Sequence, residues 1–478
     1  MKVLLINPPA PDNEVWVREG RCQQFDIWGS PFPPLTLAYI KTGIRDIAET
    51  LLLDPAPARL SGNTLMNRIV AFNPDIMLMS VTTPTFNNDC NWFAKKVKAL
   101  LPGIKIGAVG IHVTALPEES LIKTQYLDFV IKGEPEAVVK ELVSAIKEGA
   151  DLKKIPGIAY RNGSEIRDNP LPDYRDDIDS YGFPDWSDIS FNNYLLPLKE
   201  RPFSLISFAR GCPYPCTFCA ASTYYGKKLR KRKISSLISE IEYNLKLGVK
   251  DFLFWTELIS SDLEYLDRFL EAVLEKDLHE KIDWVCNSRI DRLTEAVLKK
   301  MKKAGCWQIA FGLEFGTDKA LKLAKKGGEA SVEKGREIIA LVDKAGIAAD
   351  GHFLIGYPGE TVEDIKATVD YAASLPLTFA HFYMVTPFPG SELYDFYIES
   401  RGDENSEDFW NNIAQHKYVL TGHGLTEKEV NQHMSMAYRK FYFSPYRVYK
   451  ISRAAHGIRE KINLVKIGAS FIAGILKK

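Results

Sequence analysis

The sequence predicts an α/β fold in two parts, a doubly wound parallel sheet and then a partial (β/α)6 barrel, followed by a helical C-terminal region. Two observations carry this. Short apolar runs alternate with helical patterns twice along the chain, and the alternation is interrupted once, over residues 151–200. At 478 residues the chain has room for two to four domains of roughly 100–200 residues each.

In the first part, residues 1–150, the candidate strands are 2–7, 50–54, 75–80, 104–109 and 127–131, and helical periodicity covers 35–44, 91–101 and 136–147. Ligands of such open sheets sit beyond the carboxyl ends of the strands. The Pro- and Gly-rich stretch 8–34 follows the first strand and could cover that edge. Residues 151–200 read as a linker with a small β unit, because Arg161-Asn-Gly-Ser164 suggests a hairpin and 168–188 is rich in Asp, Pro and Tyr. Alternation resumes over 201–400 with six strands at 203–209, 251–256, 282–287, 307–313, 351–355 and 381–385. Six βα units suggest a second parallel sheet curled into a partial barrel, with function on the loops after the strands. From 401 to 478 the pattern loosens into helices and a basic tail.

Sixty-one basic residues balance 61 acidic ones, which argues against an overall basic nucleic-acid binder and an acidic disordered chain. The first apolar run is stopped by Pro8-Pro9, too short for a signal peptide, and no long apolar run suggests a membrane span. The expected place is the cytoplasm.

The most specific signal is Gly211-Cys-Pro-Tyr-Pro-Cys-Thr-Phe-Cys219, a C-x3-C-x2-C spacing directly after a candidate strand. Thiolates bind soft metals and iron–sulfur clusters, and a closed [4Fe–4S] electron carrier needs four cysteines. No other cysteine lies within 60 residues of Cys212, Cys216 and Cys219. A fourth iron would lack a protein ligand and could hold a substrate. Zinc is the competing metal, though the nearest downstream His is His279; three unmetallated cysteines are the third reading. Cys286 and Cys306 read as small buried hydrophobes.

With this cysteine spacing and six βα units, the chain resembles the radical S-adenosylmethionine (SAM) superfamily. The resemblance implies a [4Fe–4S] cluster whose open iron chelates SAM, and one-electron cleavage of SAM to a radical that abstracts hydrogen from an unactivated carbon. It also implies SAM contacts from Phe218, Glu257, Arg289, Glu314 and Ile355, all at strand ends or on the cysteine loop. The loops of the first part look like those of cobalamin-binding radical SAM enzymes. They are Pro33-Pro-Leu-Thr-Leu-Ala-Tyr39, Ser80-Val-Thr-Thr83, Gly110-Ile-His-Val-Thr114 and Gly133-Glu-Pro-Glu136. On that likeness the first part is a Rossmann-like domain of cobalamin-binding type, with contacts from Leu35, Thr36, Ser80, Thr82, Thr83, Gly110, His112, Thr114, Gly133 and Glu134. The Asp-x-His-x-x-Gly that supplies an axial His in classical cobalamin proteins is absent; the position reads Asn7-Pro-Pro-Ala-Pro-Asp12. No His from this loop should ligate cobalt, and His112 reads as structural rather than axial. An empty, degenerate site is the alternative for the domain.

The resemblance implies radical functionalisation of an sp3 carbon in a small, hydrophobic molecule, with cobalamin-assisted methyl transfer as the leading outcome and a reductase, flavodoxin or ferredoxin as electron donor. Ring formation or oxidation is the alternative, as in the anaerobic magnesium-protoporphyrin ester cyclases or the hopanoid side-chain enzymes. A tRNA methylthiotransferase would carry three further N-terminal cysteines, and only Cys22 and Cys90 are present there. A non-catalytic cobalamin or iron–sulfur carrier would need no SAM site.

Two basic stretches remain. Lys227-Lys-Leu-Arg-Lys-Arg-Lys233 reads as a solvated helix entry or as a patch for an anionic substrate or electron donor. The tail 438–478 holds ten Lys or Arg and one acid, with an apolar stretch at 462–476. It suits either an interfacial helix that brings the enzyme to a membrane carrying a lipid-like substrate, or a helix that closes the barrel.

Overall fold

The computed structural model describes residues 1–10, 16–20, 31–196, 198–401, 410–455, 457 and 460–465. Seven strands form the first sheet: β1 (Lys2–Ile6), β2 (Glu49–Leu53), β3 (Ile76–Ser80), β4 (Lys105–Val109), β5 (Phe129–Ile131), β6 (Ile158–Asn162) and β7 (Glu165–Asp168). Their order is β2-β1-β3-β4-β5-β6-β7. The first five are parallel, and β3 is buried at every position, as expected for strands covered on both faces. The hairpin expected as a separate small unit instead extends this sheet, β6 pairing antiparallel with β5. Its apolar residues Ile158, Ala159 and Tyr160 are buried, which a free-standing two-stranded hairpin could not achieve.

The second sheet has the order β15-β14-β13-β12-β11-β8, all parallel. Its strands are β8 (Phe203–Ser207), β11 (Asp251–Trp255), β12 (Asp283–Ser288), β13 (Cys306–Glu314), β14 (Ala348–Ile355) and β15 (Phe379–Met384). Between the first two, β9 (Ala209–Arg210) and β10 (Arg230–Lys231) make a short antiparallel ladder, Arg210 opposite Arg230. The cysteine loop lies between these two arginines.

That ladder joins the two sheets. Arg230 donates to both Glu134 oxygens, at 2.9 and 2.7 Å. Arg210 reaches Glu134 at 3.4 Å and Glu136 at 2.9 Å. The Arg230 and Glu134 side chains are each 1% exposed. Glu134, expected among the cobalamin contacts, thus spends its carboxylate on this clamp. The basic run is divided: its lysines, Lys227, Lys228, Lys231 and Lys233, are exposed as a solvated helix entry would be, whereas Arg230 and Arg232 are buried in ion pairs, Arg232 with buried Glu240 and with Asp179.

A partial barrel leaves β15 as an open edge, whose unpaired backbone groups need partners. The helix Glu427–Tyr442 supplies them: the Tyr442 hydroxyl accepts from Ala380 N and donates to Ala380 O, and Tyr438 does the same at Phe382. Buried Arg447, on the helix Pro445–Ala454, donates to the carbonyls of Leu377, Ala373 and Leu375. The front of the basic tail therefore packs on the barrel. Of the apolar stretch 462–476, residues 466–476 lie outside the described residues. Among the described residues no helix is long and apolar enough to cross a membrane.

Removing one partner of a buried pair strands the other charge, at a cost of about 3–5 kcal/mol. Glu134→Ala should therefore lower stability to urea by about that much, whereas Lys228→Ala, in an exposed pair, should cost under about 1 kcal/mol. Equal, small effects of the two variants would show that the clamp does not hold the domains.

Candidate functional site

Side chains alternate along each strand, so one set from every barrel strand faces the interior. Together they line a cavity of about 1030 Å³ that runs from the strand-end rim down the barrel. Its walls are largely apolar, with Leu253, Trp255, Val285, Phe311, Leu354 and Phe379 among them.

At the rim, Cys212, Cys216 and Cys219 all face the cavity and are partly exposed. The loop that carries them is fixed by its own backbone: Cys219 N donates to Cys216 O at 3.1 Å, and Cys212 N to Gly226 O at 3.1 Å. Gly211, at φ 96°, lets the ladder close, because a Cβ there would lie 2.0 Å from Lys228 O. By contrast Cys286 and Cys306 are buried neighbours deeper in the barrel, and burial holds the Cys286 thiol well above its usual range. Three thiols that converge on one open space fit three corners of a cubane; no described His stands beside them to complete a zinc site, and His279 lies off this cavity.

Phe218, Glu257, Arg289 and Glu314 line the same rim. Arg289 donates to Lys326 O at 2.9 Å and Gly327 O at 2.6 Å, pairs with Asp291 at 2.7 Å, and lies 3.8 Å from the Tyr214 ring centroid. It thereby ties the cysteine loop to the turn after Ala324. Glu314 sits at φ 63°, a strained conformation for a non-glycine residue of the kind that gathers at functional sites. Its carboxylate pairs with Lys326 Nζ at 2.5 Å, and Gly312 leaves the room, since a Cβ there would meet Glu314 Oε1 at 2.4 Å. Lys326 was missed by the sequence reading; the signal was Lys325-Lys326-Gly327-Gly328, with both glycines at φ 66°. Ile355 does not face the cavity. Asp350, His352 and Leu354 take the inward positions of β14, so alternation turns Ile355 outward, where it is fully buried.

At the carboxyl edge of the first sheet, Leu35, Thr36, Ser80, Thr82, Thr83, Gly110, His112, Thr114 and Gly133 come together as a shelf, apart from the large cavity. Gly110 has φ 120°, and a Cβ on it would lie 2.6 Å from Val81 O, so the chain after β3 and the end of β4 approach closely there. Thr82 and Thr85 share a hydrogen bond of 2.9 Å, and Thr114 accepts from Gly133 N at 3.0 Å. Small and hydroxyl residues of this kind suit a broad ligand with amide side chains. Residues 16–20 lie over the shelf. Arg18 pairs with buried Asp89 and donates to Ser80 O at 2.7 Å, while Glu19 accepts from Thr36 N and Oγ1 at 2.9 and 2.8 Å. Burial pushes the Glu19 carboxyl up to about 8. His112 is fully buried between Phe86 and Trp410, its Nδ1 3.0 Å from Thr83 Oγ1.

Residues 206–372 match the family model of the Radical SAM superfamily, and residues 28–143 match that of the B12 binding domain. An uncharacterised methyltransferase of Pyrococcus horikoshii is 27% identical over 96% of each chain. The anaerobic magnesium-protoporphyrin IX monomethyl ester cyclase of Cereibacter sphaeroides is 27% identical over 87% of this chain and 68% of its own. Among solved structures, the methyltransferase TsrM of Kitasatospora setae, with cobalamin and a [4Fe–4S] cluster bound, superposes with a TM-score of 0.68 at 18% identity, over 84% of this chain and 78% of its own. The cobalamin-dependent enzyme OxsB, with aqua-cobalamin and SAM bound, gives 0.70 at 16% identity over 99% and 71%. Both likenesses establish the shared fold.

Burial pushes His112 down to about 3, from an ordinary 6.5. Its folded-state pKa lies below the unfolded one, so the stabilising effect is present above about pH 6.5 and is lost as pH falls, when only the unfolded chain takes up the proton. Between pH 7 and 5 the wild type should lose about 2 kcal/mol of urea stability that His112→Gln does not lose. Equal losses in the two proteins would contradict a neutral, buried His112.

Proposed function

Because this chain belongs to the radical SAM superfamily and carries a B12-binding domain ahead of its barrel, we propose that it transfers a methyl group to an unactivated carbon of a small hydrophobic molecule. When bound, the [4Fe–4S] cluster supplies the electron that cleaves SAM, and cobalamin carries the methyl group. The observation that carries the reading is the convergence of three partly exposed cysteines with a buried, paired Glu314 and Lys326 on one rim.

Cys212, Cys216 and Cys219 would hold the cluster. Lys326 and Glu314 place opposite charges side by side, which is what the carboxylate and ammonium of a zwitterion require; each now satisfies the other. Arg289 holds Lys326 and the cysteine loop in place. Phe218 and Glu257 offer an apolar face and a hydroxyl acceptor to the nucleoside end. The shelf around Ser80, Thr82, Thr83, Gly110 and Thr114 would take the corrin, with residues 16–20 giving way and no His ligand to cobalt. The apolar walls exclude water from a reactive intermediate and favour a hydrophobic substrate. Ring closure or oxidation is the rival, favoured by the cyclase relative; a product heavier by one methylene group separates the two.

After anaerobic reconstitution the protein should hold about four irons and four sulfides, as a cubane requires, and cleave SAM when reduced. Changing the three cysteines to Ala should abolish both, whereas Lys326→Met should keep the iron and lose tenfold or more in SAM affinity, about 1.4 kcal/mol. Stoichiometric zinc in protein purified without oxygen would overturn the cluster assignment.

A lipid-like substrate, reached at a membrane surface, is the finer reading. It rests on Tyr446, Val448, Tyr449, Ile462 and Val465, all exposed beside the tail's basic residues, and on Phe443, Val448, Leu464 and Val465 lining the cavity's outer end. Each basic residue near an anionic leaflet contributes about 1 kcal/mol. Because Tyr438–Arg447 hold the barrel edge, the informative variant keeps them: Val448→Ser, Ile462→Ser and Val465→Ser together should weaken sedimentation with anionic vesicles without unfolding the protein. Unchanged partitioning would exclude these residues as the anchor.

A further inference from the structure

Partway down the barrel, three side chains with no part in the proposed SAM and cobalamin chemistry face one another. Asp350 and His352 occupy successive inward positions of β14, and His381 stands opposite His352 in register on β15. His381 Nε2 lies 3.2 Å from Asp350 Oδ2 and His352 Nε2 3.9 Å from it. One donor atom from each of the three falls within 4.8 Å of the others. The two imidazole centroids are 5.1 Å apart. Asp350 is 5% exposed; Gln308 donates to its Oδ2 at 3.1 Å, and its Oδ1 has no hydrogen-bond partner among the described residues. All four side chains line the cavity.

A buried carboxylate with an unsatisfied oxygen is costly in an apolar wall unless a cation meets it. Two imidazoles and one carboxylate are the donor set of first-row divalent ions, zinc above all. Donor atoms on one tetrahedral ion, each bound at about 2.0–2.1 Å, lie roughly 3.3 Å apart. The His381 separation already fits, and the partly exposed His352 closes the remainder by a small side-chain rotation. Gln308 plays the orienting part that outer hydrogen bonds play for metal-bound carboxylates. Three protein donors leave the fourth position open, and the open side is the cavity.

We propose that Asp350, His352 and His381 bind one divalent transition-metal ion inside the barrel, with its open position directed into the substrate cavity. At about 3.3 Å per strand residue, the site lies roughly 10–16 Å below the strand end at Ile355. The ion is therefore remote from the cysteine rim and anchors an oxygen of the substrate, a hydroxyl or an acid group, while the reacting carbon lies at the rim; this anchoring role, unlike the metal site, rests on the proposed function.

The test uses full-length, cluster-loaded protein, stripped of other metals with a mild chelator and then given zinc. Metal analysis should find one zinc per chain beyond the cluster iron. His352→Gln, His381→Gln and Asp350→Asn should each lose that zinc and keep the iron. X-ray absorption at the zinc edge should show nitrogen and oxygen neighbours with the imidazole signature. No zinc uptake, uptake unchanged in the variants, or sulfur neighbours would each overturn the site. Should Asp350→Asn not fold, His352→Gln decides, because its side chain is the most exposed of the three. The readout is independent of SAM cleavage, so failure here is distinguishable from failure of the methyl-transfer reading.

Discussion

The structure depends on one buried clamp of charge. Glu134 and Glu136 leave the carboxyl end of the first sheet, and Arg210 and Arg230 meet them from the two strands that flank the cysteine loop. The same two arginines therefore close the base of that loop and fix it to the other domain. With one side chain of each ion stranded the whole pair becomes a liability, so the loop's geometry and the domain arrangement stand or fall together. The consequence is that the two carboxyl edges, each where ligands of its fold sit, face one another.

Below the clamp, the barrel is an apolar container with polar groups at two levels. The rim carries the thiols, Arg289, Lys326 and Glu314; the lower wall carries Gln308, Asp350, His352 and His381. An incomplete barrel needs its edge covered, and the tyrosines of the helix Glu427–Tyr442 substitute for a missing strand by offering hydroxyls to β15 backbone groups. This frees the residues beyond Arg447 to frame the cavity's outer end, which links the basic tail to the substrate space rather than to the cofactors.

Much of the architecture was legible in the sequence because buried parallel strands read as short apolar runs with helices between them. β1, β11 and β15 each fall within two residues of their expected positions. The cysteine loop was legible from spacing alone. What stayed hidden depends on partners distant in sequence. Nothing local says that Ile158–Asn162 adds to β5, that Arg230 and Arg232 are buried, or that Glu134 serves a clamp rather than a ligand. Ile355 was misplaced by one position, which in a strand is the difference between facing the cavity and facing away from it. The Asp350–His352–His381 group carries no motif and takes its meaning from strands that the fold alone pairs, and the Lys-Lys-Gly-Gly run at Lys326 gains its meaning only from Glu314 beside it.

When both are bound, cluster and cobalamin would work face to face across the clamped domain interface. The direct measurement is electron paramagnetic resonance of the protein holding both the reduced cluster and cob(II)alamin, compared with protein holding each alone. Mutual dipolar broadening of the two signals, lost when Glu134→Ala and Arg230→Ala release the clamp, is the expected result. A spectrum equal to the sum of the two separate signals would contradict it.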